Sequence, residues 1–309
     1  RRTSSAASDV YKRQPIYVLA WSVLLAGLLQ LVIQIAPLRS IKRLPTPKIN
    51  FNNKGIKKFF VVIFPAILAG GIIQINLLVD TIFASLLETG SPTWLYVSDR
   101  LVQFPLGIFA IAIGTVLLPT LSKLDVIKER ATFNNTIKKG QKFVLFIGIP
   151  SLIGLMFCAE DLISTIFYRG AFTEEDVFKS SLSLIAFSIG LPFFMLMKVL
   201  TPAFFARKDT KTPMYVAIIS LILNASLNYL LAFVLNFGHV GIAIGSSIAA
   251  LISVLILEVI LYKDGFIKIQ GVINRFNIMI LFSSIALITF LYFFTSNTNF
   301  MNFNQPQRF

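Results

Sequence analysis

The sequence predicts an all-α polytopic membrane protein. Three observations predict it. Of 309 residues, 56% are hydrophobic and only 14% charged, whereas soluble domains run near 25% charged, so the chain lacks the polar surface to cover itself. Mean hydropathy is +0.78. Eight apolar stretches together fill more than half of the chain, and a bilayer core of about 30 Å is crossed by roughly 20 such residues.

The same composition removes several kinds of function. One cysteine, Cys158, leaves no disulfide framework and no thiolate metal site, and one histidine, His239, leaves most histidine-based chemistry without its parts. The 28 basic residues against 14 acidic ones would suggest nucleic acid in a soluble protein. In a membrane protein they suggest anionic lipid instead, where each basic residue near the surface contributes about 1 kcal/mol.

Residues 1–14, RRTSSAASDVYKRQ, are polar and carry four basic side chains. They lack the apolar h-region and cleavage site of a signal peptide and read as a non-native leader. No methionine precedes the first span, so the chain reads as an internal fragment of something longer. Residues 15–58 then comprise the first span, Pro15–Ala36, and a basic loop. Residues 59–295 form a transmembrane lobe with spans at Phe59–Leu87, Trp94–Leu118, Phe143–Phe157, Leu182–Phe205, Met214–Leu235, Val240–Tyr262 and Phe276–Phe294. Residues 296–309 remain as a tail.

The loops between these spans hold seven, none, six, two, three, none and three Lys or Arg residues. Positive charge accumulates on the cytoplasmic side, so the odd loops face the cytoplasm and the even ones outward. Helix punctuation agrees with the spans. Thr173 and Asp176 fit a capping box on the approach to the fifth, and Thr212-Pro213 fits an N-cap followed by a first-turn proline for the sixth. Gly70, Gly71, Gly190 and Pro192 lie inside spans, where kinks are tolerated if neighbouring helices or water satisfy the backbone, and Gly241-x-x-x-Gly245 is expected to make a close helix-packing face.

Asp80, Asp99, Arg100, Lys198 and Glu258 fall inside spans. A charge at mid-bilayer costs at least about 2.5–3.5 kcal/mol and should face a partner or a wet cavity. Lys198 and Glu258 sit near span ends and read as snorkelling side chains. Asp80 and Arg100 lie on opposite arms of a hairpin, each about 10 Å below one boundary at 1.5 Å per residue, so they fit one cavity. Two readings stay open. Either they form a buried bridge, or Arg100 binds an anionic group, for which a guanidinium's forked donors suit phosphate. Asn76 and Gln103 lie one turn from these charges, on the same helical faces.

Ser220, Asn224 and Asn228 form a polar stripe at i, i+4, i+8. It reads as interhelical hydrogen bonding or, with Asp80, as an all-oxygen site for Na⁺ or a proton relay. Ser246-Ser247 reads as packing. No phosphate loop, paired-carboxylate motif or nucleophile elbow appears, so neither enzyme chemistry nor a bound cofactor is expected.

The run WLYVSDRLVQFPLGIFAIAIGTVLLPTLS from Trp94 to Ser122 closely resembles the MurJ (MviN) family of lipid II flippases of the MOP superfamily. NLLVDTIFAS from Asn76, YRGAFT from Tyr168 and ARKDTKTP from Ala206 resemble it too, and together the resemblance covers about residues 15–295. It implies a fourteen-helix, two-lobed fold around a central cavity, with the eight spans as helices six to thirteen. It also implies alternating access, moving the lipid-linked peptidoglycan precursor from the inner to the outer leaflet of the bacterial cytoplasmic membrane. Arg100 falls on an arginine taken to bind the lipid pyrophosphate, with Asp99 and Gln103 beside it. Asp80 falls on an acid implicated in ion coupling, with Asn76, Asn224 and Asn228 as candidate co-ligands for Na⁺ or a proton. Asn228 departs from the acid that would strengthen such a site. The implied partners are lipid II, anionic lipids and the family's N-terminal helices. A cation-coupled drug or polysaccharide exporter of the same superfamily, or a membrane scaffold without transport, stays open as an alternative.

Overall fold

A computed structural model describes residues 3–40, 54–126, 128–266 and 275–297, and among them every regular element is helical. The chain divides into two compact units, Arg1–Lys57 and Lys58–Phe309. In the first, α1 runs from Thr3 to Ser40, so residues 3–14 continue the first span as helix. The basic residues Lys42, Arg43 and Lys48 lie outside the described residues.

The second unit carries α2 (Lys54–Ser85, from Lys58 onward), α3 (Ser91–Pro105), α4 (Ala112–Ser122), α5 (Arg130–Phe157), α6 (Ala159–Phe167), α7 (Glu174–Ala206), α8 (Lys211–Asn228), α9 (Gly238–Lys263) and α10 (Arg275–Asn297). Two π-helical segments, Leu106–Ile111 and Tyr229–Val234, continue α3 into α4 and extend α8. Seven helical stretches are long and apolar enough to cross a membrane. The eighth expected span is helical as α10, but its apolar stretch Ile278–Phe293 is shorter than the other seven.

Alternate helix ends gather at two levels. Residues 86–90, 158–173 and 235–237 share the Trp94 end. Residues 123–126, 128–129, 207–210 and 264–266 share the other, where Arg130 and Arg207 both meet Asp264; it is called the basic end below.

Several boundaries move outward from the apolar runs. α5 begins at Arg130, thirteen residues before the expected Phe143, so Lys138, Lys139 and Lys142 lie on helix rather than in a loop. The reason is a narrow buried stripe, Phe133, Ile137, Gly140, Val144 and Gly148, which holds the first turns in place while the lysines occupy the outer face. α7 likewise opens at Glu174 on the predicted capping box. Thr173 N donates to Asp176 Oδ2 (2.8 Å) and Asp176 N donates to Thr173 Oγ1 (3.3 Å). The cap expected at Thr212 is displaced. α8 starts at Lys211 with Thr210 as its N-cap residue, and Asp209 Oδ1 accepts from Thr212 N at 3.0 Å, so Pro213 stands in the third helical position.

The core is built on α7. Leu184, Leu191, Met195, Val199, Leu200, Ala203 and Phe204 are fully buried, and α3, α5, α8 and α9 pack around them or around one another. Small residues set the spacing. A Cβ on Gly190 would lie 2.5 Å from Ser247 Oγ, so this glycine is a contact between α7 and α9 rather than a kink. A Cβ on Gly241 would lie 2.7 Å from the carbonyl carbon of Leu231, and one on Gly245 would collide with Asn228 Oδ1. The predicted glycine face is therefore the seat of α8 on α9. Gly245→Ala is expected to cost about 1–3 kcal/mol through overpacking and to lower the thermal midpoint in detergent. Gly70→Ala, where nothing lies within 4 Å, is expected to leave the midpoint unchanged or raised.

Candidate substrate cavity and polar network

A cavity of about 850 Å³ opens between α2, α3, α7, α8 and α9. The sequence-derived candidates Asn76, Asp80, Asp99, Arg100, Gln103 and Asn224 all line it. Asn228 lies behind its wall, fully buried.

Asp80 is brought by α2 against α8 and α9. Its Oδ1 accepts from Asn228 Nδ2 at 2.6 Å, and the same amide donates to Asn224 Oδ1 at 2.6 Å. Asn224 Nδ2 donates to Ser246 Oγ at 2.9 Å, and Ser246 Oγ donates back to Asp80 Oδ2 at 3.5 Å. Four side chains from three helices thus close a ring. Two members of the polar stripe on α8, Asn224 and Asn228, make interhelical hydrogen bonds, Asn228 directly to the acid, while Ser220 lines the cavity. Ser246, assigned to packing from the sequence, is its fourth member. The signal lies in the period: Ile242, Ser246, Ala249 and Ala250 share one face of α9, and all four line the cavity.

Two amide oxygens beside this ring, Asn76 Oδ1 and Asn228 Oδ1, are buried without a hydrogen-bond partner. Most buried polar atoms in proteins are satisfied, so such orphans demand a cause. Asn228 Oδ1 faces Gly245 of α9, on the far side of its amide from the Nδ2 that meets Asp80, which leaves the Asp80 carboxylate and Asn76 Oδ1 as hard oxygens of the kind that suit a monovalent cation rather than a soft metal.

Arg100 has the opposite surroundings. It is exposed to the cavity and its guanidinium lies 4.7 Å from the Tyr96 ring centroid, one turn earlier on α3. Among the described residues no carboxylate comes within salt-bridge distance of it. The buried Asp80–Arg100 bridge is therefore not formed, because Asn228 and Ser246 already satisfy the acid. Gln103 also turns away from Arg100. Its Nε2 donates to Asp99 Oδ1 at 3.4 Å, since the i, i+4 spacing favours Asp99. The cation–π contact with Tyr96 occupies one face of the guanidinium and leaves its N–H donors free for a ligand.

Of the two end charges, Glu258 differs from the snorkelling expectation. Glu258 accepts from Gln141 Nε2 at 2.9 Å, which ties α9 to α5. Lys198 lines the cavity. Nearness to a span end makes snorkelling possible, but the facing helix gives Glu258 a donor and the cavity gives Lys198 room.

A second polar cluster braces the Trp94 end. Trp94 Nε1 donates to Asp176 Oδ1 at 2.7 Å, and Lys179 Nζ lies 4.6 Å from the Trp94 ring while pairing with Glu88 (2.6 Å) and Glu175 (3.0 Å). His239 lies tilted against the indole, ring centroids 4.8 Å apart, and its Nε2 meets the Lys179 carbonyl oxygen at 3.0 Å. Asp176 therefore caps α7 and anchors α3 with one carboxylate. Asp176→Ala is expected to cost about 1–2 kcal/mol, as loss of a helix cap does. In a Trp21→Phe background it is expected to shift Trp94 emission as the indole loses its acceptor.

A family model described as lipid II flippase MurJ matches residues 5–306. The chain belongs to the MurJ family. This MurJ-family chain is 42% identical over 252 residues to the Vibrio cholerae protein named "Probable lipid II flippase MurJ", covering 82% of the chain and 48% of that relative. The Haemophilus influenzae protein of the same name is 37% identical over 291 residues, covering 92% and 56%. A solved structure titled "Lipid II flippase MurJ, inward closed conformation" superposes with a TM-score of 0.68 at 30% identity, covering 84% of this chain and 53% of that one. An outward-facing multidrug resistance MATE transporter of the MOP superfamily shares the fold at TM-score 0.59 and 16% identity, covering 73% and 51%. The MurJ-family chain spans about half the length of the curated relatives it matches. Its helices form a multi-pass membrane protein, as the sequence predicts.

Proposed function

We propose that this chain is the part of a lipid II flippase that holds the translocated headgroup, in the bacterial cytoplasmic membrane with its basic end toward the cytoplasm. Arg100 carries the reading: a guanidinium without an acid partner among the described residues, 4.7 Å from the Tyr96 ring centroid at the wall of a cavity of about 850 Å³. A scaffold would neutralise such a charge internally, since an unpaired cation in a membrane is expensive. Here it awaits an anion, and its two parallel donors match the oxygens of a pyrophosphate.

The remaining parts follow from the same geometry. The headgroup occupies the cavity while the polyprenyl tail stays in lipid, and two lobes alternately open the site to either side. Coupling to Na⁺ or a proton resides at Asp80. Asn76 offers its unpartnered oxygen there, and Asn228, Asn224 and Ser246 hold the acid in place. The other lobe comes from helices preceding this stretch in the family, and anionic lipid holds the basic loops.

Depletion rescue tests this. Residues 15–295 are grafted into a full-length family member and the cell's own flippase is removed. Restored growth with outward movement of lipid II is the expected result. A graft that inserts and assembles both lobes yet restores neither would overturn the reading.

A further inference from the structure

Lys198 places a second positive charge on the cavity wall. Among the described lining residues, Arg100 and Lys198 are the two cations and Asp80 and Asp99 the two acids. The acids stand with Arg100 on the Trp94 side, where Asp80 is held by Asn228 and Asp99 by Gln103. Among the described residues Lys198 has no salt-bridge partner.

Its direction follows from helix geometry. Phe187, Phe194 and Lys198 all line the cavity and stand at i, i+7 and i+11 on α7, which is one face of a helix. Its depth follows from a close contact. A Cβ on Gly114 would lie 2.9 Å from the Lys198 carbonyl oxygen, so the two residues share one level. Gly114 is fourteen residues beyond Arg100 along the α3–α4 helix, roughly 20 Å at 1.5 Å per residue. Counted from the other side, Lys198 is eight residues from the basic end of α7, about 12 Å. The two cations thus sit at opposite ends of one cavity.

We infer that Lys198 is a second phosphate-binding station in this cavity, which takes the anionic headgroup from the basic side before it reaches Arg100. The inference rests on the headgroup reading of the cavity given above. The side chains suit these successive tasks. An ammonium is a compact point charge that accepts a phosphate in any orientation, whereas the planar guanidinium on Tyr96 demands alignment of two oxygens. A site that first captures and then aligns needs the less selective group nearer the entrance.

The test uses the full-length graft in nanodiscs, in a Cys158→Ser background, with single cysteines at Met197 or Gln103, both of which line the cavity. A water-soluble thiol reagent is applied with and without inorganic pyrophosphate. Pyrophosphate is expected to slow labelling at both positions at least several-fold. Lys198→Gln is expected to abolish that protection at 197 and keep it at 103, and Lys198→Arg to retain both. Equal protection at 197 with and without the lysine charge would overturn the inference. Protection at 103 alone would also overturn it, while leaving the Arg100 site standing. Protection at neither would remove the headgroup reading itself. Discs of phosphatidylcholine and of phosphatidylglycerol separate the sources of phosphate. If 197 labels slowly in phosphatidylglycerol alone and pyrophosphate adds nothing, Lys198 serves a bulk lipid headgroup and the station is refuted.

Discussion

Arg100→Ala in the full-length graft is expected to abolish growth rescue while insertion and thermal stability stay as in the parent. The size of the effect follows from the hydrogen bonds that the guanidinium would make. Two charge-assisted hydrogen bonds to a pyrophosphate contribute roughly 1.5–3 kcal/mol each, so removing both lowers headgroup affinity by about 10²- to 10⁴-fold. Stability is spared because the guanidinium is exposed to the cavity and makes no ion pair among the described residues; only its stacking on Tyr96 disappears. Arg100→Lys keeps the charge but removes the guanidinium's forked donors, so it is expected to rescue only partly. Normal growth by a well-expressed Arg100→Ala protein would take Arg100 out of the mechanism.

Asp80→Asn is expected to separate stability from function in opposite directions. The amide oxygen can still accept from Asn228 Nδ2, which now stands 2.6 Å from Asp80 Oδ1, and the new amide N–H can donate to Ser246 Oγ in place of the bond Ser246 now donates, so the ring through Asn224 and Ser246 survives. Removing a carboxylate from the membrane interior relieves part of its desolvation cost, several kcal/mol for an unpaired ion. The thermal midpoint of the variant is therefore expected to match or exceed the parent's. Rescue is expected to fail, because Asp80 supplies the one formal charge among the oxygens offered to a coupling cation. Binding of radiolabelled Na⁺ to the purified protein, with a proton competing at low pH, reads the same loss directly. A variant that melts earlier yet still rescues growth would make Asp80 a structural residue.

Much of this site is legible in the sequence because charge inside an apolar span has few places to go. Counting residues from the hairpin tip places Asp80 and Arg100 on one cavity. The stripe of Ser220, Asn224 and Asn228 follows from its period. What the residues alone leave open is partnership: the spacing allows an Asp80–Arg100 bridge, and only the packing of α8 and α9 shows the acid spoken for. Glu258 departs from expectation for a related reason. Distance from a span end sets how far a side chain can reach, but the neighbouring helix decides which way it turns. Boundaries such as that of α5 move because Phe133 and Ile137 bury one narrow face of a segment whose overall composition is polar.

The π-helical segment Leu106–Ile111 explains how one helix does two jobs. Fourteen residues are close to four α-helical turns, so in an unbroken helix Gly114 would point within about 40° of Arg100. The lining of the cavity by α3 instead stops at Leu106, where the wider turns begin. Such turns hold more residues per revolution, and the helix emerges with its faces rotated. Arg100 looks into the cavity above the segment, and Gly114 presses on α7 below it. Shortening the segment by one residue would undo that phase shift. Either the arginine would swing toward lipid, or the glycine would leave α7 and present a bulkier neighbour to the backbone at Lys198.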